Sequence, residues 1–424
     1  MKIIKIETIW FEALPAAEWQ KQNPKARQAL PNNLWVRVHT DTGLSGIGET
    51  YYLPRAVASI VHDVYAPLLV GRDPRDIENH WQNMFALTNF CGVMGAEMRA
   101  ISALDVALWD LLGQIAGLPV YIMLGGRSRD RIRVYNTCVG AGRHAGDLDA
   151  WLTGKAGELA EDLLKQGISA MKIWPFDQFG TGLGGPGNER GDTMVWGART
   201  AAGTRGLGIS NDDLRAGVAI VEDIRRAVGD RMQIAIEGHC RWDLPSSVKI
   251  AKALEPLDVM WLEEIMPPDN VDAFVRLKAE TSVPICQSER VFTRFGFRPW
   301  IDKAATDIVM MDLSWGGGLT EGRKVAAMAD TAMLPFTCHD TIGPVALWAA
   351  THMMLNAPNG LIMEMVRGYI DGWYDEVVED RIQVVGGHLM LPDRPGLGTK
   401  LREDLFARPN ARIETTTEES LKVW

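Results

Sequence analysis

In the first part of the chain, apolar and polar positions alternate with the period of a strand. MKIIKIETIWF reads as one strand, and LWVRVHTDTGLSGIGET reads as a hairpin turning at Asp41-Thr42-Gly43. The period then becomes helical through residues 56–117 and stops near Gly117-Leu118-Pro119. Within that stretch the apolar positions 101, 104, 107, 108, 111, 112 and 115 form one stripe. These elements predict an α+β domain over residues 1–128.

Over residues 129–379 the texture differs. Short apolar runs alternate with helical segments. The runs are IRVYNTCVG, AMKIWP, QIAIEGH, VMWLEE, PICQSE, DIVMMD, PFTCHD and LIMEMV. Between two of them, NDDLRAGVAIVEDIRRAVGD keeps helical spacing at 214, 218, 221, 224 and 228, with Ser210 or Asn211 as its N-cap and Gly229 as its stop. Eight strand–helix units of this kind predict a closed parallel α/β barrel. Residues 176–210 are Gly-rich and read as an insertion at the barrel mouth. Residues 380–424 are too turn-rich for a barrel and are expected to pack back on the first domain.

Most of these runs end, at the carboxyl end, in a polar or ionisable residue. They supply Lys172, then Glu237 and His239, then Glu263, Glu289, Asp312, His339 and Glu364. In a barrel those ends ring one pocket, so residues almost 200 positions apart converge. Alternation along a strand is expected to put Glu237 and His239 on one face. Glu237 to Glu263 is 26 residues, and Glu263 to Glu289 is 26 again. That equal spacing, and the face shared with Trp261, favours Glu263 over its neighbour Glu264. Three carboxylates on consecutive strands repel unless something positive lies between them. A hard divalent cation with oxygen ligands resolves this, and Mg2+ is the expected one. Taken singly, each residue has an ordinary explanation as a helix cap, an ion-pair partner or a structural histidine. Joint placement on nearly every strand is what singles them out.

Bulk properties narrow the partners. The formal charge of −10 over 424 residues disfavours nucleic acid, which needs basic patches. It does not exclude an anionic substrate, because a local cation reverses the field. The five cysteines are scattered without a CxxC pair and read as reduced, cytoplasmic thiols. No signal peptide and no membrane span are expected.

With these motifs in hand, the chain resembles the enolase superfamily in its mandelate racemase/muconate lactonizing enzyme-like branch. The resemblance rests on EGH, WLEE and QSE for metal ligands Glu237, Glu263 and Glu289. It rests also on VMMDLSWGGGLTE for a sixth-strand Asp312, TCHD for a seventh-strand His339 placed 27 residues later, and IMEMV for Glu364. It implies an N-terminal capping domain, a modified (β/α)7β TIM-type barrel and a C-terminal return. It also implies removal of the proton α to a carboxylate. His339 with Asp312 would be the base, Lys172 and a protonated Glu364 would assist at the carboxylate oxygens, and a pKa near neutrality is expected for His339. Where the family's racemases have Lys-x-Lys, this chain has Lys172-Ile173-Trp174. His239, two residues after the first ligand, is similar to the arrangement of galactonate-type dehydratases, and either His239 or His339 could protonate a leaving hydroxyl. The implied reaction is dehydration of an aldonic or aldaric acid to a 2-keto-3-deoxy acid by a homo-oligomer. The resemblance places lid contacts at 14–32 and 50–56, with Tyr51, Tyr52 and Arg55, and wall contacts at Trp174, Arg241 and Trp242. A racemase or epimerase of a 2-hydroxy acid, or a non-catalytic carbohydrate-acid binding member, remains the alternative.

Overall fold

The computed structural model describes residues 1–12, 32–140, 142–179 and 207–423. The expected lid contacts at 14–31 and the core of the expected insertion, 180–206, lie outside the described residues. The strands are β1 Ile3–Phe11, β2 Asn33–Thr40, β3 Ser45–Tyr51, β4 Ile132–Thr137, β5 Ala170–Ile173, β6 Gln233–Glu237 and β7 Trp261–Glu263. They continue as β8 Ile285–Gln287, β9 Ile308–Met311, β10 Phe336–Cys338, β11 Gly360–Met365, β12 Val384–Val385, β13 His388–Leu389 and β14 Ala411–Thr417.

Strands β1–β3 form an antiparallel sheet, with β2 and β3 joined by the turn that carries Gly43 at φ +83°. The helix Ala96–Ala116 lies directly against β3. A Cβ on Gly48 would come within 1.8 Å of the Ala103 carbonyl oxygen, so only glycine allows this approach. The helix ends at Gly117, whose left-handed φ of 67° suits an αL cap.

Strands β4–β11 are parallel neighbours in sequence order, and β11 pairs with β4 to close the barrel. Seven strand–helix units and a final strand make it, the (β/α)7β form that the resemblance implies. After β11 comes only the four-residue helix Arg367–Ile370. The second connection contains the helix Asn211–Val228, capped by Ser210 accepting from the Asp213 N–H at 3.1 Å. The C-terminal segment divides. Its hairpin β12–β13 adds to the first barrel strand through His388 and Leu389, and only β14 joins β1 in the capping sheet. Among the described residues no helix is long and apolar enough to cross a membrane.

The capping domain is bolted to loops at the carboxyl ends of the barrel strands. Thr50 donates to the Ser314 carbonyl at 2.7 Å, and Asn33 donates to that of Ile342 at 3.0 Å. Trp81 donates to the Gly317 carbonyl at 2.9 Å. Glu49 accepts the N–H groups of Val345 and Ala346 at 2.8 and 2.9 Å, at the first turn of the helix Pro344–Asn356. These contacts are long-range and buried, so the first domain is held over the barrel mouth.

Candidate active site

Each expected barrel residue arrives where its apolar strand runs out. In β6, Ile234, Ala235 and Ile236 are buried and Glu237 is the last strand residue. The chain then turns sharply. Gly238 passes so close to Ile265 that a Cβ would meet its Cα at 2.7 Å. The turn aims the N–H groups of Gly238 and His239 at Glu237 Oε1, at 3.0 and 2.7 Å. His239 is therefore not on the pleat with Glu237, as alternation suggested. It sits past the strand end at φ 45°, a left-handed conformation that histidine tolerates better than branched residues do.

Glu237, Glu263 and Glu289 converge, with one oxygen from each within 4.8 Å of the others. All three are buried. Their orientation is fixed by donors around them. Trp261 Nε1 donates to Glu263 Oε2 at 2.9 Å, and the Ser288 hydroxyl contacts Glu263 and Glu289 at 2.8 and 3.1 Å. Glu264 is excluded for a physical reason. It points away to Arg290, with which it forms an ion pair, and it also accepts from Gln287 at 3.0 Å.

Lys172 is the cation inside the cluster. Its Nζ lies 2.9 Å from Glu263, 2.9 Å from Glu364 and 3.5 Å from Glu237. Burial acts to lower its pKa, but these carboxylates outweigh burial and hold it well above the ordinary value. Burial, with Glu263 beside it, pushes Glu237 well up. That is the signature of too much negative charge in too little space, and an all-oxygen donor set of this kind fits a hard divalent cation.

His339 Nδ1 lies 2.7 Å from Asp312 Oδ2, and its Nε2 faces Glu289 and Glu364 at 3.8 and 3.9 Å. Asp312 is itself held by the Ser314 N–H at 2.7 Å. Burial would lower the pKa of His339, yet Glu289, Glu364 and Asp312 push it up to about 10. The expected near-neutral value is thus not that of the cluster with its carboxylate charge uncompensated. Glu364 differs from expectation too. Burial opposes its ionisation, but Lys172, His339 and the Thr137 hydroxyl hold its pKa below the ordinary value, the opposite direction from a protonated donor. Thr137 ends β4, the one strand that had offered no ionisable residue.

The structure brings together Lys172, Glu237, Glu263, Glu289, Asp312, His339 and Glu364, with His239 beside them. His239 has a partner the sequence did not reveal: Asp177 Oδ2 lies 2.5 Å from its Nδ1. Asp177 is buried in a single turn, Asp177–Phe179, that follows Trp174-Pro175-Phe176. Trp174 is buried with its ring centroid 5.6 Å from that of His239 and 5.1 Å from that of Trp151, so it forms the wall behind His239. Arg241 is half-exposed in the turn after β6, and its N–H donates to the Gly238 carbonyl at 3.0 Å. Tyr52, at φ 69°, packs 5.7 Å from Trp315, whose ring is 5.3 Å from His339. Arg55 is not gathered in. It pairs with Glu12 at 3.1 Å and lies over Trp10, on an exposed groove of the capping domain.

Comparison with known proteins agrees with this architecture. Residues 155–405 match the family described as Enolase C-terminal domain-like. Residues 26–125 match the Mandelate racemase / muconate lactonizing enzyme, N-terminal domain. The chain belongs to this branch of the enolase superfamily. It is 30% identical over 385 residues to a D-xylonate dehydratase of Haloferax volcanii, covering 91% of this chain and 87% of the relative. It is 32% identical over 390 residues to a D-galactonate dehydratase of Xanthomonas oryzae, covering 90% and 92%. Among solved structures, an enolase of the mandelate racemase subgroup from Agrobacterium tumefaciens superposes with a TM-score of 0.83 at 36% identity, covering 99% of this chain and all of that one.

Proposed function

We propose that the chain is a magnesium-dependent sugar-acid dehydratase, a hydro-lyase that converts an aldonate or aldarate to a 2-keto-3-deoxy acid. The observation that carries this reading is the pair of histidines. His339 and His239 come from different strands, each with its own carboxylate, Asp312 and Asp177, and both bias the charge of Glu289. The dehydratase names of the relatives point the same way.

Dehydration needs one proton removed at C2 and one delivered to the hydroxyl leaving C3. Bound at Glu237, Glu263 and Glu289, Mg2+ would offset the negative charge of the cluster and of a substrate carboxylate. Lys172, firmly protonated, donates to the oxygens on which negative charge develops. His339 takes the C2 proton at Nε2, because Asp312 holds Nδ1. His239, held at Nδ1 by Asp177, gives the proton that leaves as water with the C3 hydroxyl. The resulting enol takes up a proton at C3 as it becomes the ketone. Residues 1–128 cap the site, 129–379 supply its chemistry and 380–424 tie the two together.

A second reading has a specific observation in its favour. A histidine bonded to a buried aspartate suits a base as well as an acid, so His239 could deprotonate the opposite face of C2 in a racemase or epimerase. The test is the fate of C2 and C3 when a library of sugar acids is incubated with protein and Mg2+ in D2O: loss of water supports the dehydratase, and inversion at C2 alone supports the racemase.

A further inference from the structure

The groups described so far act at the carboxylate end of a substrate. A sugar acid has further carbons, each with oxygen, and something must hold them. Arg99 lies on the capping-domain helix Ala96–Ala116, where the sequence shows only an apolar stripe. Its guanidinium stacks 4.3 Å from the centre of the Trp315 ring, the same ring that lies 5.3 Å from His339. The Tyr52 ring is also near, 5.6 Å away. Burial raises the pKa of Asp312, and Arg99 is close enough to oppose that rise; it feels Glu289 as well.

A guanidinium held between two domains is ordinarily paired with a carboxylate, often through two parallel hydrogen bonds. Arg99 is not. Among the described residues it makes no ion pair, and its side chain donates one hydrogen bond, from Nη1 to the Tyr51 carbonyl at 2.9 Å. A guanidinium has five N–H donors. Burial pulls its pKa down to about 10, although Asp312, Tyr52 and Glu289 act to raise it. Trp315 adds an indole N–H that is buried and has no acceptor among the described residues. Two donor-bearing side chains thus stack beside the base, one half-buried with a single hydrogen bond and the other buried without an acceptor among the described residues.

We infer that Arg99, backed by Trp315 and Tyr52, grips the distal oxygens of the substrate chain and sets which sugar acids are accepted. The inference rests on the sugar-acid reading above and extends it to the far end of the substrate. The acceptors are hydroxyl oxygens in an aldonate or a terminal carboxylate in an aldarate. Both suit a planar fork of donors, whereas a lysine presents only a point charge.

The experiment compares wild type, Arg99→Lys and Arg99→Gln on matched aldonates and aldarates, reading kcat, KM, C2 deuterium uptake and acid binding by titration calorimetry in Mg2+. Arg99→Gln should raise KM and Kd about 10- to 100-fold, as expected for losing hydrogen bonds from a charged donor, with kcat and C2 exchange changed much less. A larger loss on aldarates, partly restored in Arg99→Lys, identifies a terminal carboxylate as the bound group. An equal loss on both, not restored by lysine, identifies hydroxyls. Unchanged KM and Kd in Arg99→Gln would overturn the inference alone. So would a fall in kcat that follows a lowered thermal midpoint with no change in affinity, because Arg99 would then only brace the domains. If wild type neither turns over nor binds any sugar acid, the dehydratase reading fails and this inference goes with it.

Discussion

His239 Nδ1 and Asp177 Oδ2 lie 2.5 Å apart, joining the turn after the third barrel strand to the loop after the second. The contact fixes which ring nitrogen of His239 is left for chemistry. Asp177→Asn keeps the shape but changes what Nδ1 can bond to. Dehydration by that variant should fall roughly 10²- to 10⁴-fold, the usual effect of disabling a positioned acid. C2 deuterium uptake should survive, because His339, Lys172 and the three glutamates are untouched. His239→Asn should show the same division. Loss of exchange along with dehydration, in either variant with metal still bound, would make His239 a base.

Removing the other histidine should act earlier in the reaction. His339→Asn leaves no group at 3.8 Å from Glu289 to take the C2 proton. Both exchange and dehydration should drop by at least about 10²-fold, and they should drop together. Exchange at the wild-type rate would move the base to His239 or Lys172.

The metal proposal has a consequence for stability as well as activity. Chelator should abolish turnover and Mg2+ should restore it. Mg2+ should also raise the thermal midpoint, since it binds the folded cluster and not the unfolded chain. Glu237→Gln should abolish that rise. In the cation-free protein the same variant should be no less stable than wild type, because the burial and the repulsion from Glu263 that push Glu237 up no longer act on a charge. A midpoint in Glu237→Gln that still rises with Mg2+ by the wild-type amount would place the cation elsewhere.

Acid stability should carry the mark of His352. This buried histidine accepts the Tyr121 N–H at Nδ1, 3.1 Å away, and its Nε2 lies 3.0 Å from the Leu397 carbonyl. A second proton would face the Tyr121 N–H, and burial lowers the pKa from 6.5 to about 4. Between those values the unfolded chain holds a proton that the folded chain refuses. The contribution is complete above the unfolded value and is lost as pH falls toward the folded one, reaching about 3 kcal/mol. Urea unfolding at a series of pH values should show wild type losing more stability than His352→Gln between pH 6.5 and 4. Parallel pH profiles for the two proteins would contradict this.

The barrel and its ring of chemistry were legible because both follow from simple sequence features. Apolar runs too short for helices, each closed by an ionisable residue, can satisfy burial only with their ends gathered in one pocket. Equal spacing picked Glu263, which the structure groups with Glu237 and Glu289, but Glu264 is drawn away by Arg290, which no spacing reveals. The alternation argument reached His239 by the wrong route, because β6 stops at Glu237 and a left-handed turn delivers the histidine. Charge states were not legible at all. Against burial, Lys172, almost 200 positions away, lowers the pKa of Glu364, and Glu289 and Glu364 raise that of His339. Asp177 and Arg99 escaped notice because one sits in a loop without a pattern and the other inside a helix read for its apolar face.

The central claim is that this site removes water from a sugar acid. The most direct measurement is NMR of aldonates and aldarates incubated with the protein and Mg2+ in D2O. The account predicts a 2-keto-3-deoxy acid carrying one deuterium at C3, formed only with Mg2+ and not by His339→Asn. Accumulation of the C2 epimer labelled with deuterium, with every hydroxyl retained, would contradict it.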